Sequence, residues 1–287
     1  MRLNSLPTRL PSPSVARKNV LTGYGDGVAE RVAMKNLFFV GTAGSGKTTM
    51  VAAFKTWLEE HGVDSIIVNL DPGAEALPYD PDIDIREWIS LGEVMEEYGL
   101  GPNGAQVVAA DLMALNIRKM TDVLDTYKTD YAIIDTPGQL ELFAFRESSD
   151  RMMKAFGMED SMIVYLSDPA LCRTPNGFVS SMMLSAIVQF RLRVPVINVL
   201  SKCDMFRQEE TDRMISWFED PNVLYDDLML DSANPETIVG LELFKSLDGM
   251  GVFGGIRQAS AREERGMEDI YAAAQLAFFA GEDNDRE

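Results

Sequence analysis

Glycines at fixed spacing before a lysine and a hydroxyl can grip a phosphate, and residues 41–48 have that spacing. Gly41-Thr42-Ala43-Gly44-Ser45-Gly46-Lys47-Thr48 matches G-x-x-x-x-G-K-[ST]. The glycines let the loop curl so that main-chain amides point at phosphate oxygens. A helix starting at Lys47 and Thr48, with Thr49 in its first turn, adds its positive dipole end. Lys47 is expected to reach the β- and γ-phosphates and Thr48 to ligate Mg²⁺. A second group, Asp135-Thr136-Pro137-Gly138-Gln139, has the D-x-x-G form. Asp135 there suits a Mg²⁺ held through water, the Gly138 amide a γ-phosphate contact, and Gln139 the attacking water, with Glu141 in the same network. A third, Ser201-Lys202-Cys203-Asp204, can read a base. The Asp204 carboxylate accepts from the N1–H and N2–H₂ of guanine, a donor pair that adenine lacks. Lys202 is expected along the base plane, and Ser260-Ala261 to offer a main-chain amide to guanine O6. Asp71, in Asn69-Leu70-Asp71-Pro72, is a further carboxylate able to orient water or help hold Mg²⁺.

Such residues need a scaffold that gathers loops at one edge. Apolar runs at 37–40, 66–70, 131–135, 162–166 and 194–200 read as strands buried on both faces. Helical patterns near 47–61, 105–127, 177–192, 208–218 and 267–279 alternate with them. The expected fold is α/β: a doubly wound, mostly parallel sheet of the P-loop NTPase kind. Residues 255–258 read as one more strand-like stretch. Residues 72–104 break the alternation, and with the following helix they form an insertion, 72–127, within a domain of residues 34–287. Residues 220–256 read as irregular, and 1–33, rich in Pro, Ser and Gly, as a flexible N-terminal extension.

Composition narrows the partners. The net charge of −19 disfavours direct binding to nucleic acid or anionic membranes. No run of about 18 apolar residues suggests a membrane span, and no signal peptide is expected. Two cysteines, Cys172 and Cys203, in no metal-binding pattern point to a reducing, cytoplasmic compartment. The single histidine, His61, stands before Gly62 at an expected helix end and is read as a cap.

Together these motifs make the chain resemble the GPN-loop GTPases, a family in the class of the signal-recognition GTPases and MinD-like ATPases. The resemblance runs from Lys35 to about Phe279. It rests on GTAGSGKTT at 41–49, NLDPGAE at 69–75, DIDIREWI at 82–89, GLGPNGA at 99–105, DTPGQLELF at 135–143 and SKCD at 201–204. Ser201 departs from the usual Asn or Thr, and Gly73 stands where a second alanine is common. The short layout is similar to archaeal members. The resemblance implies GTP and GDP as ligands with Mg²⁺, and a homodimer with nucleotide sites near its interface. It implies that the Gly101-Pro102-Asn103 loop enters the partner's site. There Asn103 would join Asp71, Gln139 and Glu141 in ordering water. It also implies a protein client, RNA polymerase in eukaryotic relatives. No arginine finger is obvious: Arg86, Arg146 and Arg173 are candidates, each better read as a salt-bridged surface residue. Two other readings stay open: a nucleotide-dependent small-molecule kinase, and a scaffold that binds nucleotide without hydrolysing it.

Overall fold

The computed structural model describes residues 34–146, 148–231, 235–249 and 255–279. The expected extension at 1–33 lies outside them. Among the described residues, seven strands form one sheet: β1 (Lys35–Gly41), β2 (Ser65–Asn69), β3 (Ile83–Asp84), β4 (Tyr131–Asp135), β5 (Ser161–Ser167), β6 (Val196–Leu200) and β7 (Ile256–Gln258). Their order is β3-β2-β4-β1-β5-β6-β7, and each neighbouring pair is parallel. The fold is thus the expected doubly wound α/β sheet. The chain reverses its direction of winding beside β1, so crevices open at the C-terminal strand ends there.

Helix α1 (Lys47–Glu60) returns across one face of the sheet. Next come α2 (Leu91–Tyr98), α3 (Pro102–Leu124), α4 (Leu140–Ala144) and α5 (Ser148–Phe156). The chain continues through α6 (Pro169–Cys172), α7 (Pro175–Leu192), α8 (Gln208–Glu219), α9 (Pro221–Asp231), α10 (Pro235–Gly249) and α11 (Met267–Phe279). Alternate side chains of β1 divide the core. Phe38 and Val40 face α3, α5 and α7, with Met113, Ile117, Met152 and Val188. Leu37 and Phe39 face α1 and α11, with Phe54, Leu58 and Ile270.

Two expectations need correction. Among the described residues of 220–256, read as irregular, α9 and α10 fill most of the stretch, and Leu224, Leu228, Leu241 and Phe244 bury a third cluster against Phe178 and Trp217. Their opening prolines sit at helix starts, where a missing N–H costs nothing. The helix expected from 105 starts at Pro102 for the same reason, so Gly101-Pro102-Asn103 is its first turn. The segment read as an insertion also contributes a strand, since Val68 and Asn69 of β2 pair with Ile83 and Asp84 of β3. His61 does cap α1, with Nδ1 2.8 Å from the Trp57 carbonyl oxygen and its ring stacked on Trp57.

Candidate functional site

The turn from β1 into α1 carries the phosphate-loop residues. Gly44 and Gly46 have φ of +81° and +95°, a region that side chains rarely adopt. A Cβ on Gly41 would lie 2.6 Å from the Leu166 carbonyl oxygen, so only glycine lets β1 meet β5 there. Helix α1 has no side-chain cap and no acidic residue in its first turn. Its leading amides, those of Lys47, Thr48 and Thr49 included, have no intrahelical acceptor and suit an anion. Ala43 and Thr49 are exposed, and Thr42 and Thr48 half-buried.

The buried Lys47 ammonium donates to the carbonyl oxygens of Gly41 (3.0 Å), Thr42 (3.1 Å) and Gly138 (3.1 Å). Burial lowers its pKa, while the charges of Asp135 and Asp71 work against that shift. The D-x-x-G turn after β4 therefore abuts the phosphate loop. Thr136 fixes the turn by donating from its hydroxyl to the Phe39 carbonyl oxygen (2.7 Å). The Gly138 amide, expected to meet phosphate, donates to Asp71 Oδ2 (3.1 Å), and the Gly73 amide donates to Asp71 Oδ1 (2.8 Å). Asn69 orders this loop through both ends of its amide: Oδ1 accepts from the Asp71 N–H and Nδ2 donates to Asp84. Asp84 in turn holds the Arg86 guanidinium by a fork. Burial opposes ionisation of Asp84, but the Arg86 and Asn69 hydrogen bonds keep its carboxyl below the ordinary range.

Asp135 is buried, and burial pushes its carboxyl above the ordinary range, with Tyr79, Thr48 and Lys47 opposing. Its Oδ2 accepts from the Tyr79 hydroxyl (2.7 Å). Among the described residues, Asp135 Oδ1 and Ser45 Oγ are buried side-chain atoms with no hydrogen-bond partner. A bare carboxylate oxygen near a threonine hydroxyl suits a hard divalent cation completed by water and phosphate oxygens. The described residues hold no group of three or more His, Cys, Asp or Glu able to bind a metal alone.

At the end of β6, Ser201 donates to the Ser45 carbonyl oxygen (2.6 Å), so serine at this departure still ties the base loop to the phosphate loop. Lys202, at φ +53°, lays its stem beside Gly46 and donates to the Gly44 carbonyl oxygen. The Ser260 hydroxyl donates to Asp204 Oδ1 (2.6 Å) and orients that carboxylate. The Ser260 amide is bound to the Arg265 carbonyl, which leaves Ala261 as the amide of the pair for a ligand.

A family model described as a conserved hypothetical ATP binding protein matches residues 39–279. A GPN-loop GTPase of Pyrococcus abyssi is 38% identical over 241 residues, covering 82% of this chain and 94% of that one. The chain belongs to the GPN-loop GTPase family. GPN-loop GTPase 1 of Dictyostelium discoideum is 29% identical, and the match covers 84% of this chain and 61% of that longer one. The crystal structure of a Pyrococcus abyssi GTPase in apo form superposes with a TM-score of 0.77 at 33% identity, over 85% of this chain and 97% of that one.

As a GPN-loop GTPase, the chain brings Lys47, Asp71, Asp135 and Gly138 together through the contacts above, with Thr48 beside Asp135 and Gln139 following Gly138, and it groups Lys202, Asp204, Ser260 and Ala261 beside β6 and β7. It does not bring Asn103 or Glu141 into that group. Asn103 is exposed in the first turn of α3. Glu141 is exposed and lines a separate cavity of about 720 Å³ with Asp111, Leu115, Phe145 and Arg146. The three candidate arginine fingers are all ion-paired: Arg86 with Asp84, Arg146 with Asp111 and Arg173 with Glu210. Sequence reasoning missed Tyr79 and Gln106, whose Oε1 accepts from Gln139 Nε2 (2.9 Å). Tyr79 lies in a segment without periodicity and gives no signal. Gln106 does give one: it follows Asn103 by three residues, about one helical turn.

Proposed function

We propose that this chain is a Mg²⁺-dependent GTPase that cleaves the β–γ bond of GTP to give GDP and phosphate. It works as a homodimer in the cytoplasm and assists assembly of a protein client. The family resemblance points to RNA polymerase as that client. Residues 34–287 form the GTPase domain, with 72–127 as the segment presenting Gly101-Pro102-Asn103. The observation that carries the reading is the Lys47 ammonium, held between the phosphate loop and the Gly138 carbonyl. A cation held there supports a reading in which the terminal phosphates of a nucleotide lie beside Lys47.

In this reading the amides of residues 44–49 cradle the phosphates, and Lys47 exchanges its carbonyl partners for β- and γ-oxygens. Thr48, Asp71 and Asp135 would hold Mg²⁺. A bound Mg²⁺ would neutralise charge building on the phosphate oxygens. Gln139 aligns a water with the β–γ bond, and Asp71 fixes the Gly138 turn behind it. Asn103 of a second copy completes the water's surroundings. Asp204, aimed by Ser260, selects guanine over adenine, a choice the family model's description leaves to adenine. No described helix is long and apolar enough to cross a membrane.

Titration calorimetry and phosphate release test this together. Mg-GTP should give binding heat, and Mg-ATP should bind at least about 100-fold more weakly. Phosphate should appear in water with no acceptor added, which a kinase would not do. Lys47→Ala should lower turnover by about 100-fold or more. Absence of heat with GTP, or wild-type turnover in that variant, overturns the reading.

A further inference from the structure

We propose that Gln106 is a positioning residue for Gln139, joining the helix that carries Asn103 to the water-aligning glutamine of the same subunit. The proposal rests on the role given to Gln139 above. A carboxamide has one donor end and one acceptor end. Gln139 Nε2 donates to Gln106 Oε1 at 2.9 Å. With the donor end held, Oε1 is the end left to accept from a water, and Gln139 can turn its amide over without losing this bond only if Gln106 turns over too. The end of Gln139 that faces the substrate is thus coupled to the setting of Gln106.

Both ends of this contact are anchored. Gln139 is the residue before α4, next to Gly138, whose amide is bound to Asp71. Gln106 lies in the second turn of α3, and the neighbouring Ala105 and Ala109 are buried in the core. Gly73 makes room for it. A Cβ there would lie 3.3 Å from Gln106 Nε2, a distance at which the amide must give way. Asn103 is one turn earlier on the same helix, so the loop offered to a second copy and the clamp on the subunit's own glutamine are parts of one rigid element.

The test is a double-mutant cycle read as kcat and KM for GTP, with GDP affinity and thermal midpoint recorded for each variant. Gln106→Leu should lower kcat about 10-fold while KM and GDP affinity stay within about 2-fold. Gln106→Glu, which keeps an acceptor oxygen at the same reach, should retain most of kcat. Gln106→Ala serves the same cycle if the leucine variant does not fold. Placed on Gln139→Ala, Gln106→Leu should cost nothing further, because its only route is through the missing amide. The proposal is overturned if Gln106→Leu turns over like wild type, or if it slows Gln139→Ala by the same factor as it slows wild type. If Gln139→Ala itself hydrolyses GTP normally, the water-aligning role of Gln139 falls and the clamp with it. That result is distinct from a slow Gln139→Ala beside a normal Gln106→Leu, which removes the clamp alone.

Discussion

At Asp135 a carboxylate is buried, bare on one oxygen, and bonded on the other by a phenol. Burial, followed by the charge of Asp135, pushes the Tyr79 hydroxyl well above its ordinary pKa, so it stays a donor at any working pH. Removing that donor leaves a buried charge less satisfied. Tyr79→Phe should therefore destabilise the protein by about 1–3 kcal/mol, read as a lower urea midpoint without nucleotide. An unchanged midpoint would mean that the hydroxyl contributes nothing to holding Asp135. The site was legible where chemistry and chain neighbourhood coincide: Lys47, Thr48, Asp135 and Asp204 sit in contiguous motifs. Tyr79 was not legible, because it meets its partner only across the fold, 56 residues away, and Gln106 showed only its helical spacing from Asn103, its partner lying 33 residues on.

The elements differ in how plainly the sequence announces them. The five apolar runs are legible because β1, β2, β4, β5 and β6 lie inside the sheet, where helices cover both faces. β3 has two residues and α4 five, too few for a period to show. α9 and α10 are hidden by composition, since Pro221 and Pro235 look like breaks and act as starts. The close approach of β1 and β5 at the phosphate loop makes its own demand. Gly41→Ala should cost about 1–3 kcal/mol, because the Leu166 carbonyl must move and strands shift together. Gly101→Ala, with nothing within 4 Å of its added Cβ, should change stability by less than about 0.5 kcal/mol. Equal unfolding midpoints for the two variants would contradict the packing described at β1.

For the whole molecule, the central question is whether one copy suffices. Asn103 is exposed and sits outside its own subunit's cluster, so a site completed by a second copy should show complementation in mixtures. Asn103→Ala and Lys47→Ala proteins should each be slow alone. Allowed to exchange subunits, they should recover about a quarter of the wild-type rate, from random pairing with one complete site in each mixed pair. No recovery in demonstrably mixed dimers would place Asn103 at its own subunit's site or at none. With −19 charges on each copy, pairing should also tighten as salt screens their repulsion. The Gly138 peptide has a consequence at this scale. Its oxygen is tethered to the Lys47 ammonium and its nitrogen to Asp71, like a clasp fastened on both sides. Anything that draws the ammonium away unfastens one side, and α4 begins two residues later, with its far end gripped by Arg191 at the Phe145 carbonyl. Arg191 of α7 is thus joined to the phosphate loop by a single short helix.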